Sequence, residues 1–154
     1  VPQNLTNHVL GATEKDWNED SFWFYPSGKS VTHKGIDIFA KESTPVVAST
    51  HGMILYKGYN AVGGNFVVLL GPKWRMHYYA HLKSIDVHKF KPVKRGAKIG
   101  TVGNTGNASG KPHHVHYTIS TPFPHIQRWD KSVQGWKKMF YLNPDNYLRN
   151  KYTL

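Results

Sequence analysis

The chain holds 154 residues, 39% hydrophobic and 19% charged, which suits one folded domain and excludes a disordered polyelectrolyte. Twenty Lys and Arg against nine Asp and Glu leave a net charge of +11, and the lack of cysteine excludes a disulfide framework, a thiolate nucleophile and any cysteine-ligated metal. Ten histidines stand beside only three glutamates, Glu14, Glu19 and Glu42, so histidine is the residue type best placed to carry chemistry.

In chain order, the segment up to about Ser30 is polar with aromatic punctuation at Trp17, Phe22, Trp23, Phe24 and Tyr25, and is expected to pack over the core. Short apolar runs then alternate with Gly, Asn and Pro, the pattern of strands and tight turns. Strands are predicted at Pro45–Ala48, Gly52–Lys57, Asn65–Leu70, Arg75–His81, Lys98–Val102 and His114–Ser120. Turn-forming residues lie between them at 58–64, 71–73 and 103–110. Such close spacing predicts an all-β fold, a single antiparallel sheet domain over 1–154 with its core at about 31–120. The aromatic stretch from Pro122 to Leu154 is expected to wrap the core, with a short helical turn at Lys137–Leu142 or Pro144–Tyr147. No apolar run approaches the roughly 20 residues a membrane-spanning helix needs. Val1-Pro2-Gln3-Asn4-Leu5 lacks the basic and apolar regions of a secretory signal.

The histidines fall into three informative clusters: His33-Lys34-Gly35-Ile36-Asp37, Tyr78-Tyr79-Ala80-His81-Leu82, and Pro112-His113-His114-Val115-His116-Tyr117. In a strand, residues i and i+2 share a face, so His114 and His116 project together, opposite Val115 and Tyr117. Paired imidazoles on one face repel when charged and need partners when buried, and a metal ion taking neutral ring nitrogens resolves both problems. A catalytic zinc typically takes three His, Asp or Glu ligands and leaves a position for water. His33, Asp37 and one histidine of the His114/His116 pair would supply such a set, with Gly35 letting the backbone turn between the first two. His113 points away from His114 in a regular strand, and His8, His51, His77, His88 and His125 read as surface or structural residues. No Gly-x-Ser-x-Gly elbow supports a serine hydrolase. The basic stretch Lys83–Lys98 invites a nucleic-acid reading, but no recognition motif accompanies it, so a solvated basic face is the plainer reading, and attraction to an anionic polymer such as a cell wall is a third.

The ordered motifs resemble the lysostaphin-type (LytM-like) zinc metallopeptidases of bacterial peptidoglycan. The likeness runs through Thr32-His33-Lys34-Gly35-Ile36-Asp37, Thr44–Ala48, Gly64–Leu69, Tyr79-Ala80-His81-Leu82, Gly96–Gly106 and the His-x-His strand, with Asn143-Pro144 and Tyr147-Leu148 in a closing segment. It implies a curved antiparallel domain of the duplicated-hybrid-motif type with one Zn2+ per chain in a groove. His33, Asp37 and His116 become the metal ligands, and His81 and His114 the catalytic histidines that assist a zinc-activated water. The implied substrate is the peptide part of peptidoglycan, with no nucleic-acid partner, and the implied location is extracytoplasmic, periplasmic or secreted. Members cut glycine bridges, direct D-alanine–diaminopimelate crosslinks or terminal D-alanine, and a direct crosslink is favoured here. Thr118 stands where the family commonly has a glutamate, which removes a carboxylate beside the histidine pair. The alternative is an inactive wall-binding or regulatory module of the same fold.

Overall fold

The computed structural model describes residues 5–18, 22, 34–131 and 134–148. Strands β1 (Ile36–Phe39), β2 (Pro45–Val47), β3 (Gly52–Asn60), β4 (Gly64–Leu70), β5 (Met76–Ile85), β6 (Pro92–Val93), β7 (Lys98–Val102), β8 (His114–Ser120) and β9 (Tyr141–Leu142) form one sheet. A single α-helix among the described residues, α1, spans Pro144–Leu148. The main path runs β1-β8-β5-β4-β3-β6, β7 joins β2 to β5, and β9 flanks β8. Every pairing is antiparallel, as the short turns require.

All six expected strands are present, while β1, β6 and β9 were not anticipated. These three are four residues or fewer, too short for two-residue alternation to stand out. Near Lys137 the chain forms a 3-10 segment, Gly135–Phe140, and the α-helical turn falls on α1 instead.

Alternation sorts β8 cleanly. Val115, Tyr117 and Ile119 are buried in the core, and His114, His116 and Thr118 share the opposite face. β8 lies between β1 and β5, pairing Asp37 with His116 on one side and Ala80 with His116 on the other. Ile36, Ile38, Ile54, Leu69, Leu82 and Ile99 complete the apolar side, each worth roughly 1.5–3 kcal/mol of transfer free energy.

The described part of the N-terminal segment packs on this core as a strap. Leu5, Val9 and Trp17 are buried, Thr6 N donates to Ser49 O at 2.9 Å, and Val47 N donates to His8 O at 2.7 Å. Trp17 Nε1 donates to Asp145 Oδ1 at 2.8 Å, tying the strap to α1.

Candidate active site

β1 places Asp37 directly opposite His116, and their side chains meet at 2.9 Å between Oδ1 and Nδ1. His114 projects from the same face of β8, with Nε2 4.0 Å from the same carboxylate oxygen. β5 brings in His81, whose ring lies 5.0 Å from that of His114 and 6.2 Å from that of His116. Three imidazoles and one carboxylate therefore converge on one sheet face. Gly35 contributes differently from expectation: it needs no unusual turn, but a Cβ there would lie 2.1 Å from Tyr117 O. Glycine lets the chain entering β1 run hard against β8, which is what brings Asp37 onto His116.

His81 was expected at a strand end, but β5 continues to Ile85 and His81 sits within it at φ +63°. The pairings on both sides of β5 shift register around this position. A left-handed non-glycine residue inside a strand is strained, and such strain concentrates at functional sites. The loop after β7 holds the ring: His81 Nδ1 donates to Thr105 O at 2.8 Å. Thr105 is itself pinned, its Oγ1 donating to Leu82 O at 2.8 Å and accepting from Asn65 N at 3.0 Å. Gly64 and Gly106, both at positive φ, permit this contact, since a Cβ on Gly64 would sit 2.2 Å from Thr105 Oγ1.

His114 is held in the same way, Nδ1 donating to Pro112 O at 2.8 Å. A carbonyl can only accept, so both His81 and His114 carry their proton on Nδ1 and present Nε2 as a proton acceptor. The His81 pKa is lowered to about 4, first by burial and then by the neighbouring His114 and His116, against the raising influence of the Thr105 carbonyl and Asp37.

Among the described residues no three His, Cys, Asp or Glu side chains are arranged to hold an ion, and the expected ligand His33 lies outside the described residues. The remaining donors fit zinc. Ligands held at about 2.0–2.1 Å from one ion in tetrahedral geometry sit about 3.3–3.4 Å apart, a few tenths of an ångström wider than the 2.9 Å Asp37–His116 separation. With Nδ1 turned to Asp37, His116 Nε2 meets Thr118 Oγ1 at 3.1 Å. Thr118 thus contacts the outer nitrogen of a candidate ligand, the position from which a hydrogen-bond partner sets ring orientation and tautomer. Its short side chain and loss of a carboxylate concealed that contact in the sequence. A cavity of about 340 Å³ opens beside His116, lined in part by Val68, Met76, Tyr78, Thr118 and Tyr141.

An antiparallel sheet presenting three histidines and a carboxylate on one face defines a hydrolase-like site. Residues 31–128 match Peptidase family M23, and the chain belongs to that family. It is 31% identical over 123 residues, 69% of its length, to an L-Ala–D-Glu endopeptidase of Bacillus subtilis. It is 36% identical over 103 residues, 66% of its length, to the peptidoglycan DD-endopeptidase ShyA of Vibrio cholerae. The chain spans 38% of the first relative and 24% of the second. Among solved structures, the catalytic domain of lysostaphin from Staphylococcus simulans superposes with a TM-score of 0.68 at 26% identity, covering 86% of this chain and 91% of that one. The fold expected from the resemblance is therefore the fold observed.

Proposed function

We propose that the chain is a zinc-dependent peptidase domain that hydrolyses the peptide crosslinks or stem peptides of bacterial peptidoglycan outside the cytoplasm. The observation that carries this reading is the pair His81 and His114, each fixed by a backbone carbonyl as the Nδ1–H tautomer beside the Asp37–His116 pair. Membership of a peptidase family and endopeptidase relatives support the reaction class, and give the inactive-module alternative no support.

Asp37 and His116, joined by His33, would hold one zinc ion through oxygen and nitrogen donors. Bound zinc would lower the pKa of a water towards about 7 and polarise the scissile carbonyl. The chain's own residues do the rest. One Nε2 of the His81/His114 pair takes a proton from the attacking water, and the other histidine, protonated on Nε2, steadies the tetrahedral oxyanion. The low His81 pKa keeps that ring neutral at physiological pH and so competent as a base. Thr118 keeps His116 turned towards Asp37. The favoured bond is a direct crosslink between peptide stems, and the +11 charge draws the domain to an anionic wall rather than to nucleic acid.

The test is digestion of purified sacculi with muropeptide mass spectrometry. Cleavage is expected to stop on chelation and return with zinc. Activity untouched by a strong chelator overturns the metal assignment, and the mass of the products identifies the bond.

A further inference from the structure

The sheet face that carries the histidines continues across β5, β4 and β3 as a row of rings that catalysis does not use. Tyr78 lies 6.5 Å from the His116 ring, Phe66 5.5 Å from Tyr78, and Tyr56 5.7 Å from Phe66. Strand register produces the row: Thr118 pairs with Tyr78, Tyr78 with Val68, and Val68 with Tyr56, while Phe66 pairs with Gly58. Gly58 lies against both rings, since a Cβ there would touch those of Tyr56 and Phe66 at 3.5 and 3.7 Å. At the far end Tyr56 is 50% exposed and Phe90 61%, and Lys89 Nζ lies 5.1 Å from each ring centroid.

Tyr56 and Phe90 are exposed and Tyr78 is half-buried, while Phe66 is buried between Tyr56 and Tyr78 as their support. Exposed apolar surface of this kind marks binding grooves. Two features indicate the ligand. The rings sit side by side at tilts of 31° and 42°, a platform suited to flat, amphipathic partners whose C–H faces stack on aromatics. The platform's own charge is positive, from Lys89, which complements a polymer bearing carboxylates. We propose that Tyr78, Tyr56 and Phe90, backed by the buried Phe66, form a subsite for the sugar rings of an acidic glycan strand, with Lys89 meeting its carboxylates. This rests on the reading of the domain as a peptidoglycan peptidase, and adds that it grips the glycan as well as the peptide. The strand would then run across β5, β4 and β3 while its attached peptide reaches the histidines.

The test measures binding without turnover. Peptide-free glycan strands, prepared by amidase treatment of sacculi, are titrated into the full chain and followed by NMR. Saturable shifts are expected at Tyr56, Phe66, Tyr78 and Phe90. The double variant Tyr56→Ala/Phe90→Ala should weaken binding at least about tenfold, and Tyr56→Phe should retain it. Lys89→Ala should weaken binding less and flatten its salt dependence. Tyr56 and Phe90 are surface residues, so an unchanged amide spectrum away from the patch confirms that the double variant folds. Absence of saturable binding, binding indifferent to the double variant, or shifts at these rings with crosslinked stem peptide but not with glycan each overturn the proposal. A chain that cleaves soluble peptides without binding glycan removes this subsite alone. A chain that binds glycan without cleaving removes the peptidase reading alone.

Discussion

β5 and β8 carry histidines on both faces of the sheet, and the two faces treat the same side chain in opposite ways. On the outer face, His81 and His114 each give their Nδ1 proton to a carbonyl, and His116 sits between Asp37 and Thr118. On the inner face, His77 reaches Tyr117 Oη at 2.5 Å through Nδ1, but its Nε2 is buried with no partner. His8, delivered by the strap, lies tilted against Tyr117 with ring centroids 4.1 Å apart and neither ring nitrogen hydrogen-bonded. Ser49 links the hydroxyls of Tyr79 and Tyr117 in the same layer, at 2.6 and 2.9 Å. The reactive pair, His81 and His114, is 7% exposed at each residue and fixed in tautomer by backbone carbonyls. The inner pair is dry and held neutral, with pKa values lowered to about 3: His8 by burial and then by His77, His77 by burial and then by Arg75.

The comparison breaks most sharply if the outer pair is removed. His81→Ala and His114→Ala are each expected to lower kcat on crosslinked muropeptides by roughly 10²- to 10⁴-fold, the range for a positioned acid–base group, while zinc content holds at that of the unaltered chain. Loss of the metal in either variant would move that histidine into the ligand set.

The inner pair should announce itself in stability against pH. An unfolded histidine protonates near 6.5, whereas the folded His8 and His77 resist protonation until about pH 3, so the unfolded chain binds more protons in between. Their neutral burial therefore leaves stability intact above about pH 6.5 and erodes it as pH falls towards 3. At pH 5 the two together withdraw about 4 kcal/mol, a large part of an ordinary domain's stability. Urea midpoints at pH 7.5 and pH 5 check this, and His8→Leu should remove about half of the difference. A midpoint that does not move between those pH values would show that the inner face is wet.

The contrast between the faces also explains what the sequence made legible. His114 and His116 are readable because two-residue alternation assigns a face and because the His-x-His spacing has no easy packing explanation, and Asp37 through its place four residues after His33. Their convergence with His81 was readable only through the family resemblance, since β5 and β8 are joined by register and not by proximity in the chain. Thr105 was not readable at all. It acts through its backbone carbonyl, and any residue has one. His8 and His77 passed as surface or structural residues because burial of a lone histidine depends on what the strap covers, a long-range fact without a local signature. His33, the third expected ligand, lies outside the described residues.

A smaller effect probes how the loop after β7 steadies the outer face. Gly64→Ala would drive a methyl to 2.2 Å from Thr105 Oγ1 at a backbone φ of +63°. Both the clash and the left-handed conformation oppose the change, at a combined cost of about 2–3 kcal/mol. The expected signature is selective: kcat falls along with stability because the Thr105 carbonyl is displaced from His81 Nδ1. Gly110→Ala provides the comparison, since its φ is also positive but a Cβ there meets nothing within 4 Å. Equal losses of activity in both variants would separate His81 from the loop.

The smallest expected effect concerns the Thr118 hydroxyl. Thr118→Val keeps the branched shape that packs in β8 and deletes only the oxygen that meets His116 Nε2 at 3.1 Å. If that oxygen orients the ring for metal binding, zinc affinity should fall about 10- to 100-fold, as is usual when an outer hydrogen bond to a ligand imidazole is lost. The folded sheet should be nearly unaffected, because Val matches Thr in volume and strand preference. Thr118→Ser should restore much of the affinity, which a purely steric role would not allow. Competition with a colorimetric chelator measures the zinc constant directly, independent of substrate. Affinity unchanged in Thr118→Val would mean that the Asp37 contact alone orients His116. In that case the threonine would serve only to leave open the 340 Å³ cavity it lines beside that ring.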